Sequence, residues 1–384
     1  VARKVGPVEM TRSGGSYLAA RLRRRSGSET FEDWVTARFG RRLYEHFFRS
    51  YTEKVWGVPA DEIRAEWAAQ RIRTLSLGRA VRAAAFGERE PSHSLVESFL
   101  YPRLGPGQMW EAMAEGIRDA GGEIRLGCPL EEVRTGPDGV ETVRAGGERI
   151  PCRELISSVP LGELPGMLSP RPPPGVLEAA SGLGFRDFLT VALIVEDADP
   201  FPDNWVYVHD PGVRVGRIQN FRAWSPALVP DDAHTCLGLE YFCFAGDELW
   251  RTGDEELVRL AAAELEEIGL GRAERVRAGH VVRVPKAYPI YAAGFAERVA
   301  AIRACIDPIP GLVQVGRNGL HRYNNADHSM LTAMRAVENL REGAAHDIWD
   351  VNADDAYHEE SERRAPPEQP YRSLPATPAL QEIS

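Results

Sequence analysis

The stretch from Gly311 to Leu340 constrains the fold more than any other part of the chain. Leu312, Val313 and Val315 read as a short buried strand, here expected to be central and parallel. Gly316 and Gly319 then punctuate a turn. From Asp327 onward Met330, Ala333, Met334, Val337 and Leu340 recur at helical spacing, so a helix starts near Asn325–Asp327. A strand, a glycine turn and a helix N-terminus in succession present backbone N–H groups that suit an anion. The run between glycines and helix (Arg322, Tyr323, Asn324, Asn325, Asp327, His328) is densely polar. It reads either as a ligand site or as a solvated turn.

The residues of this turn carry a family resemblance. Gly316-Arg317-x-Gly319-x-x-Arg322-Tyr323, followed by Asp327 and a helix, resembles the C-terminal flavin-binding motif of UDP-galactopyranose mutases. Protoporphyrinogen-oxidase-like and amine-oxidase-like FAD proteins share a looser version. The resemblance implies FAD as cofactor, contacted by Gly316, Arg317, Gly319, Arg322, Asp327, His328, Ser329 and Met330. The positive end of the helix would favour a reduced, anionic flavin ring.

Composition narrows the alternatives. With 384 residues, 43% hydrophobic and 27% charged, the chain has enough apolar material for two intertwined domains. No run approaches the roughly 18 apolar residues that span a bilayer, and no signal-peptide pattern opens the chain. The five cysteines (Cys128, Cys152, Cys236, Cys243, Cys305) are scattered and lack metal-ligand spacing. They point to free thiols in a cytoplasmic protein with no metal site. The net charge is −10, of which residues 347–384 supply −6 through nine acids and three arginines. The body is therefore only mildly acidic, and nothing in it suits nucleic acid.

One pattern is missing. No strand followed by Gly-x-Gly-x-x-Gly occurs, and the chain opens on Val1. FAD proteins of the resembled group begin with that fingerprint for the ADP pyrophosphate. The expectation is a Rossmann-like FAD-binding domain incomplete at its N-terminus. The alternative is a flavin-free remnant acting as a binding module.

A second resemblance lies in residues 40–57. Thr30-Phe-Glu-Asp33 reads as a capping box ahead of a helix that Gly40 interrupts, and a second helix runs to Gly57. Leu43, Phe47 and Phe48 are an ordinary core stripe. Tyr51 and Trp56 carry polar handles at the helix end, where one face stays wet. Gly40-Arg41-x-Leu43-Tyr44-Glu45-x-Phe47-Phe48-x-x-Tyr51-Thr52-x-Lys54-x-Trp56-Gly57 is similar to the helical substrate-domain signature of the mutases. There the tyrosine stacks on uracil with the tryptophan beside it. The chain departs from the family after Gln70, where a proline and the arginine spacing are lost, leaving Arg71 or Arg73 as a diphosphate contact.

Beyond Leu100 the pattern alternates between layers. A helix begins near Gly107 and ends near Gly121, and a strand over Glu123–Leu126 follows. A hairpin is expected over 133–152, turning at Pro137-Asp-Gly139, then a buried strand from Leu155. Strands dominate 188–284, at 189–195, 205–208, 214–219, 236–244 and 276–284. One amphipathic helix interrupts them, carrying Leu257, Leu260, Ala261, Leu265 and Ile268. The resemblance makes this mostly antiparallel sheet the floor of the substrate cavity. It also matches Arg186 to an arginine beside flavin N5, and Tyr288 and Tyr323 to tyrosines binding a UDP phosphate from two sides. Tyr291 reads as a packed aromatic. After Leu340 the pattern dissolves, and residues 347–384, rich in acids and prolines, read as a disordered tail.

The expected fold is mixed α/β: a Rossmann-like FAD domain, an inserted helical segment and an antiparallel substrate sheet. The expected parts are 1–29 as a linker, 30–98 helical, 99–160 and 296–346 in the FAD domain, and 161–295 in the substrate domain. The implied activity is that of a UDP-galactopyranose mutase, in which reduced flavin attacks the anomeric carbon of a nucleotide sugar. Arg186 would assist the chemistry, while Tyr51, Trp56, Arg71, Arg73, Tyr288 and Tyr323 would bind substrate. An FAD-dependent oxidase of the protoporphyrinogen or amine oxidase type is the alternative. A homo-oligomer is compatible with either.

Overall fold

The computed structural model describes residues 7–22, 30–63, 100–197 and 200–351. Arg71, Arg73 and the tail beyond residue 351 lie outside the described residues.

Helix α1 (Pro7–Leu22) precedes α2 (Phe31–Phe39), whose N-terminus is capped by Thr30 accepting from the Asp33 N–H. Gly40, at φ 84°, ends α2, as its position between two apolar stripes implies. The second helix is not uniform. A wide π-helical segment, Tyr44–Arg49, leads into α3 (Ser50–Trp56), which closes on left-handed Gly57. Phe31, Val35, Phe39, Tyr44 and Trp56 form one buried cluster, against which Tyr288, Ile290 and Tyr323 pack.

Helix α4 (Gly107–Asp119) follows, and then a finding against expectation: residues 123–126 form no strand, and Leu126 is 87% exposed. An isolated strand has no partner for its backbone groups, and the nearest sheet uses both neighbours of its own strands. That sheet comprises β1 (Leu130–Gly136), β2 (Gly139–Ala145), β3 (Glu148–Pro151) and β5 (Leu168–Ser169), in the order β3-β2-β1-β5. Between them β4 (Leu155–Ser157) pairs in parallel with β11 (Leu312–Gln314). The expected parallel strand is thus present, but among the described residues it has this one neighbour. Helices α5 (Pro174–Ser181) and α7 (Phe295–Ile306) cover this part, burying Val133, Leu161, Leu164, Ile302 and Leu312.

The second sheet is antiparallel, in the order β10-β6-β9-β8-β7. Its strands are β6 (Phe185–Val195), β7 (Trp205–Tyr207), β8 (Arg217–Asn220), β9 (Thr235–Cys243) and β10 (Val276–Pro289). Side chains alternate between its faces. One face buries Leu189, Val191, Leu193, Leu237, Leu239 and Tyr241 against Leu257, Ala261 and Leu265 of α6 (Asp254–Glu267). By register the other face carries Phe188, Thr190, Arg217, Gln219, Glu240, Phe242 and Tyr288. Helix α3 packs on that second face.

The turn after β11 leads into α8 (Ala326–Glu342). Residues 348–350 then form a 3-10 turn with Ile348 and Val351 buried, so the tail departs later than Asp347. No helix among the described residues is long and apolar enough to cross a membrane, and none of their acids, histidines and cysteines cluster for a metal. All five cysteines are free.

Candidate active site

The site begins with α3. Ser50 donates to the His209 carbonyl at 2.8 Å, and Lys54 donates to the Val208 and Val215 carbonyls at 3.4 and 3.2 Å. These bonds fasten α3 to the end of β7 and the approach to β8. The Tyr51 ring consequently meets Tyr207 edge-on at 5.1 Å and lies 5.3 Å from His209. Burial pushes the Tyr51 phenol well above its ordinary pKa; Arg217 opposes that shift, while Tyr207, Glu240 and Tyr323 add to it. Tyr51 is therefore a neutral hydroxyl in electrostatic reach of all four.

A second group of aromatics meets it from β10 and the turn. Strand β10 is irregular between Val284 and Tyr288: three residues there face one on β6. This bulge, with Lys286 at φ 54°, re-aims Tyr288 beside the turn after β11. Tyr288 and Tyr323 stack at 5.5 Å with rings 11° apart, and Trp56 lies 6.3 Å from Tyr323. The Arg317 guanidinium sits 5.1 Å from the Tyr288 ring and 5.0 Å from that of Tyr323. It donates to the Asn324 and Ala287 carbonyls at 2.7 and 3.0 Å and has no carboxylate partner among the described residues. A cavity of about 340 Å³ adjoins Trp56, lined also by Val58, Ile63, Ile290 and Tyr291. Tyr291 is packed on Phe295, and its oxygen accepts the Tyr323 N–H at 2.7 Å.

Tyr51, Trp56, Tyr288 and Tyr323 are thus brought into one neighbourhood. Arg186 is adjacent but differently used. It is 5% exposed and donates to the carbonyls of Val55 at 3.0 Å, Lys54 at 3.3 Å and Phe242 at 2.9 Å, with its guanidinium over Phe244. Burial lowers its pKa. It caps the C-terminal carbonyls of α3. Arg322 is likewise committed, to the Trp349 and Val351 carbonyls.

The residues missing from the sequence reading are Arg217 and Glu240, with Gln219 and Trp205. Arg217 pairs directly with Glu240 across β8 and β9, and Gln219 donates to the same carboxylate. Arg217 also donates to the Tyr288 oxygen at 3.1 Å, and lies 5.0 Å from the Trp205 ring and 4.7 Å from that of Phe242. Burial opposes its charge, but Glu240 prevails and raises its pKa. One signal could have revealed the pair: Glu240 is the lone acid in the apolar run Thr235–Cys243 and so demands a buried cation.

The turn at 316–328 fits a flavin. Gly316 is buried at φ 78°, and a Cβ on Gly319 would lie 3.1 Å from the Ser157 carbonyl, so both positions keep the backbone bare. Buried Gln314 has neither amide atom partnered, and Asn318 Oδ1 is also unpartnered. Orphaned polar atoms beside bare backbone suit a polar planar ligand. At the start of α8, Asn325 and His328 form a reciprocal capping box, and Ser329 donates to the Asn325 carbonyl. The N–H groups of Ala326 and Asp327 are left in the first turn, with Asp327 exposed and Met330 half-buried.

Comparison with known proteins accords with this geometry. The family model of flavin-containing amine oxidoreductases matches residues 12–339. Among solved structures, reduced UDP-galactopyranose mutase is similar at TM-score 0.76 and 20% identity, covering 91% of this chain and 75% of that one. A protein described as a protoporphyrinogen oxidase from Exiguobacterium sp. 255-15 follows at TM-score 0.64 and 17% identity, covering 88% and 73%. Wild-type putrescine oxidase bound to putrescine matches at TM-score 0.56 and 16% identity, covering 87% and 76%. At these identities the structures speak for the fold. The chain therefore belongs to the flavin-containing amine oxidoreductase family, with FAD as its cofactor.

Proposed function

We propose that this FAD-dependent enzyme acts on a nucleotide sugar, interconverting its pyranose and furanose rings as a UDP-galactopyranose mutase does. One observation carries the reading: two stacked phenols, Tyr288 and Tyr323, meet an Arg317 that no carboxylate neutralises, with Tyr51 and Trp56 alongside. Phenols and a shared cation hold a diphosphate by hydrogen bonds without the attraction that would trap product. Tyr51 provides a flat face for a base. Arg186 positions Tyr51 and Trp56 by holding the end of α3. FAD, when bound, supplies an electron-rich ring in its reduced form and a hydride acceptor in its oxidised form. The other reading, an FAD-dependent oxidase or dehydrogenase, draws on the family match itself.

The test uses the flavin-loaded full-length protein, reduced with dithionite, and UDP-galactofuranose, with UDP-galactopyranose followed by chromatography. Conversion under reducing conditions supports the mutase. Absence of conversion, together with oxygen consumption by the oxidised enzyme on an amine such as putrescine, assigns the oxidase.

A further inference from the structure

The buried ion pair on the open face of the antiparallel sheet has a use beyond stability. Glu240 is 2% exposed and Arg217 is 9% exposed. Burying both charges contributes little to folding, because desolvation offsets most of their attraction. The arrangement of donors is informative. Of the Arg217 guanidinium, Nε faces Glu240 and Nη2 faces the Tyr288 oxygen, while Nη1 has no hydrogen-bond partner among the described residues. The Tyr288 oxygen accepts from Arg217, so its own O–H is free to donate elsewhere. Trp205 and Phe242 flank the guanidinium and hold it in plane.

We infer that Arg217 Nη1 and the Tyr288 hydroxyl form a two-donor seat for a phosphoryl oxygen of the substrate, with Glu240 setting the seat's charge. This inference rests on the nucleotide-sugar reading above and names two binding residues, Arg217 and Glu240, which that reading does not include. Because Glu240 neutralises Arg217, the seat hydrogen-bonds the phosphate without a net charge and lets the product leave. Removing the acid and removing the cation should then act in opposite directions.

The experiment measures UDP and uridine affinity by calorimetry on the flavin-loaded full-length protein at fixed low ionic strength. Glu240→Gln, which leaves Arg217 uncompensated, should tighten UDP by about 3- to 10-fold. The double variant Arg217→Met with Glu240→Gln, which strands no buried charge, should weaken UDP by about 10- to 100-fold. Uridine, lacking phosphate, should be unchanged in both. Equal weakening of UDP and uridine in both variants would reduce the pair to a structural role and overturn the inference. UDP affinity within twofold of wild type in both variants would overturn it as well, while leaving the nucleotide-sugar reading intact. A wild-type protein that binds neither UDP nor UDP-galactose would remove both.

Discussion

Replacing Arg186 by methionine should cost stability more than chemistry. The side chain makes three hydrogen bonds to carbonyls, at 3.0, 3.3 and 2.9 Å, two of them at the last turn of α3. A charge-assisted bond of this kind is worth about 1.5–3 kcal/mol. Burial has lowered the pKa of Arg186, so part of that gain is already spent on desolvation. The net loss comes to about 3 kcal/mol, or a fall in Tm of roughly 5 °C for a chain of this size. Arg186→Lys should recover only part of it, since one ammonium cannot reach carbonyls of Lys54, Val55 and Phe242 together. The assay is thermal unfolding of the flavin-loaded protein beside turnover and UDP affinity. A Tm within 1 °C of wild type, with turnover down a hundredfold, would refute the structural assignment and return Arg186 to the reacting centre.

Three further outcomes follow from particular contacts. Gly57→Ala should destabilise by about 2 kcal/mol or more, because φ is 67° there and a Cβ would meet the Arg186 guanidinium at 2.4 Å; thermal unfolding reads it, and a neutral result would mean the guanidinium has room to move. His321 is 2% exposed and burial holds its pKa down to about 4, against about 6.5 unfolded. The unfolded chain then binds the extra proton first, so stability present above pH 6.5 is lost as pH falls towards 4, by about 3 kcal/mol in all. His321→Asn, which tolerates the left-handed φ of 46°, should flatten that part of the stability–pH curve, and an unchanged slope would exclude His321 as its source. Tyr51→Ala should weaken UDP by roughly fivefold, a loss of about 1 kcal/mol of stacking, with kcat little changed. A fall in kcat at constant KM would instead place Tyr51 at the chemistry.

Much of the architecture was legible in the chain. The strand, glycine turn and helix at 312–342 appear where the apolar spacing put them, because two glycines and a helical repeat leave the backbone few alternatives. Helix α2 starts and stops at its cap and its glycine. The antiparallel strands were found within a few residues, since alternation is a local signal. The strand expected at 123–126 failed for the opposite reason: pairing requires a neighbour, and nothing local specifies one.

The sequence by itself determined where apolar stripes, caps and bare-backbone turns fall, and so which side chains could sit near a flavin. Tertiary structure alone decided what each does. Arg186 and Arg217 both sit on strands of one sheet, yet one is spent on carbonyls of α3 and the other reaches Tyr288. That difference comes from where α3 lands and from a bulge in β10 that turns Tyr288 towards Tyr323. Hydrogen-bond partners of a long cation are set by three-dimensional neighbours, which periodicity along one strand does not encode.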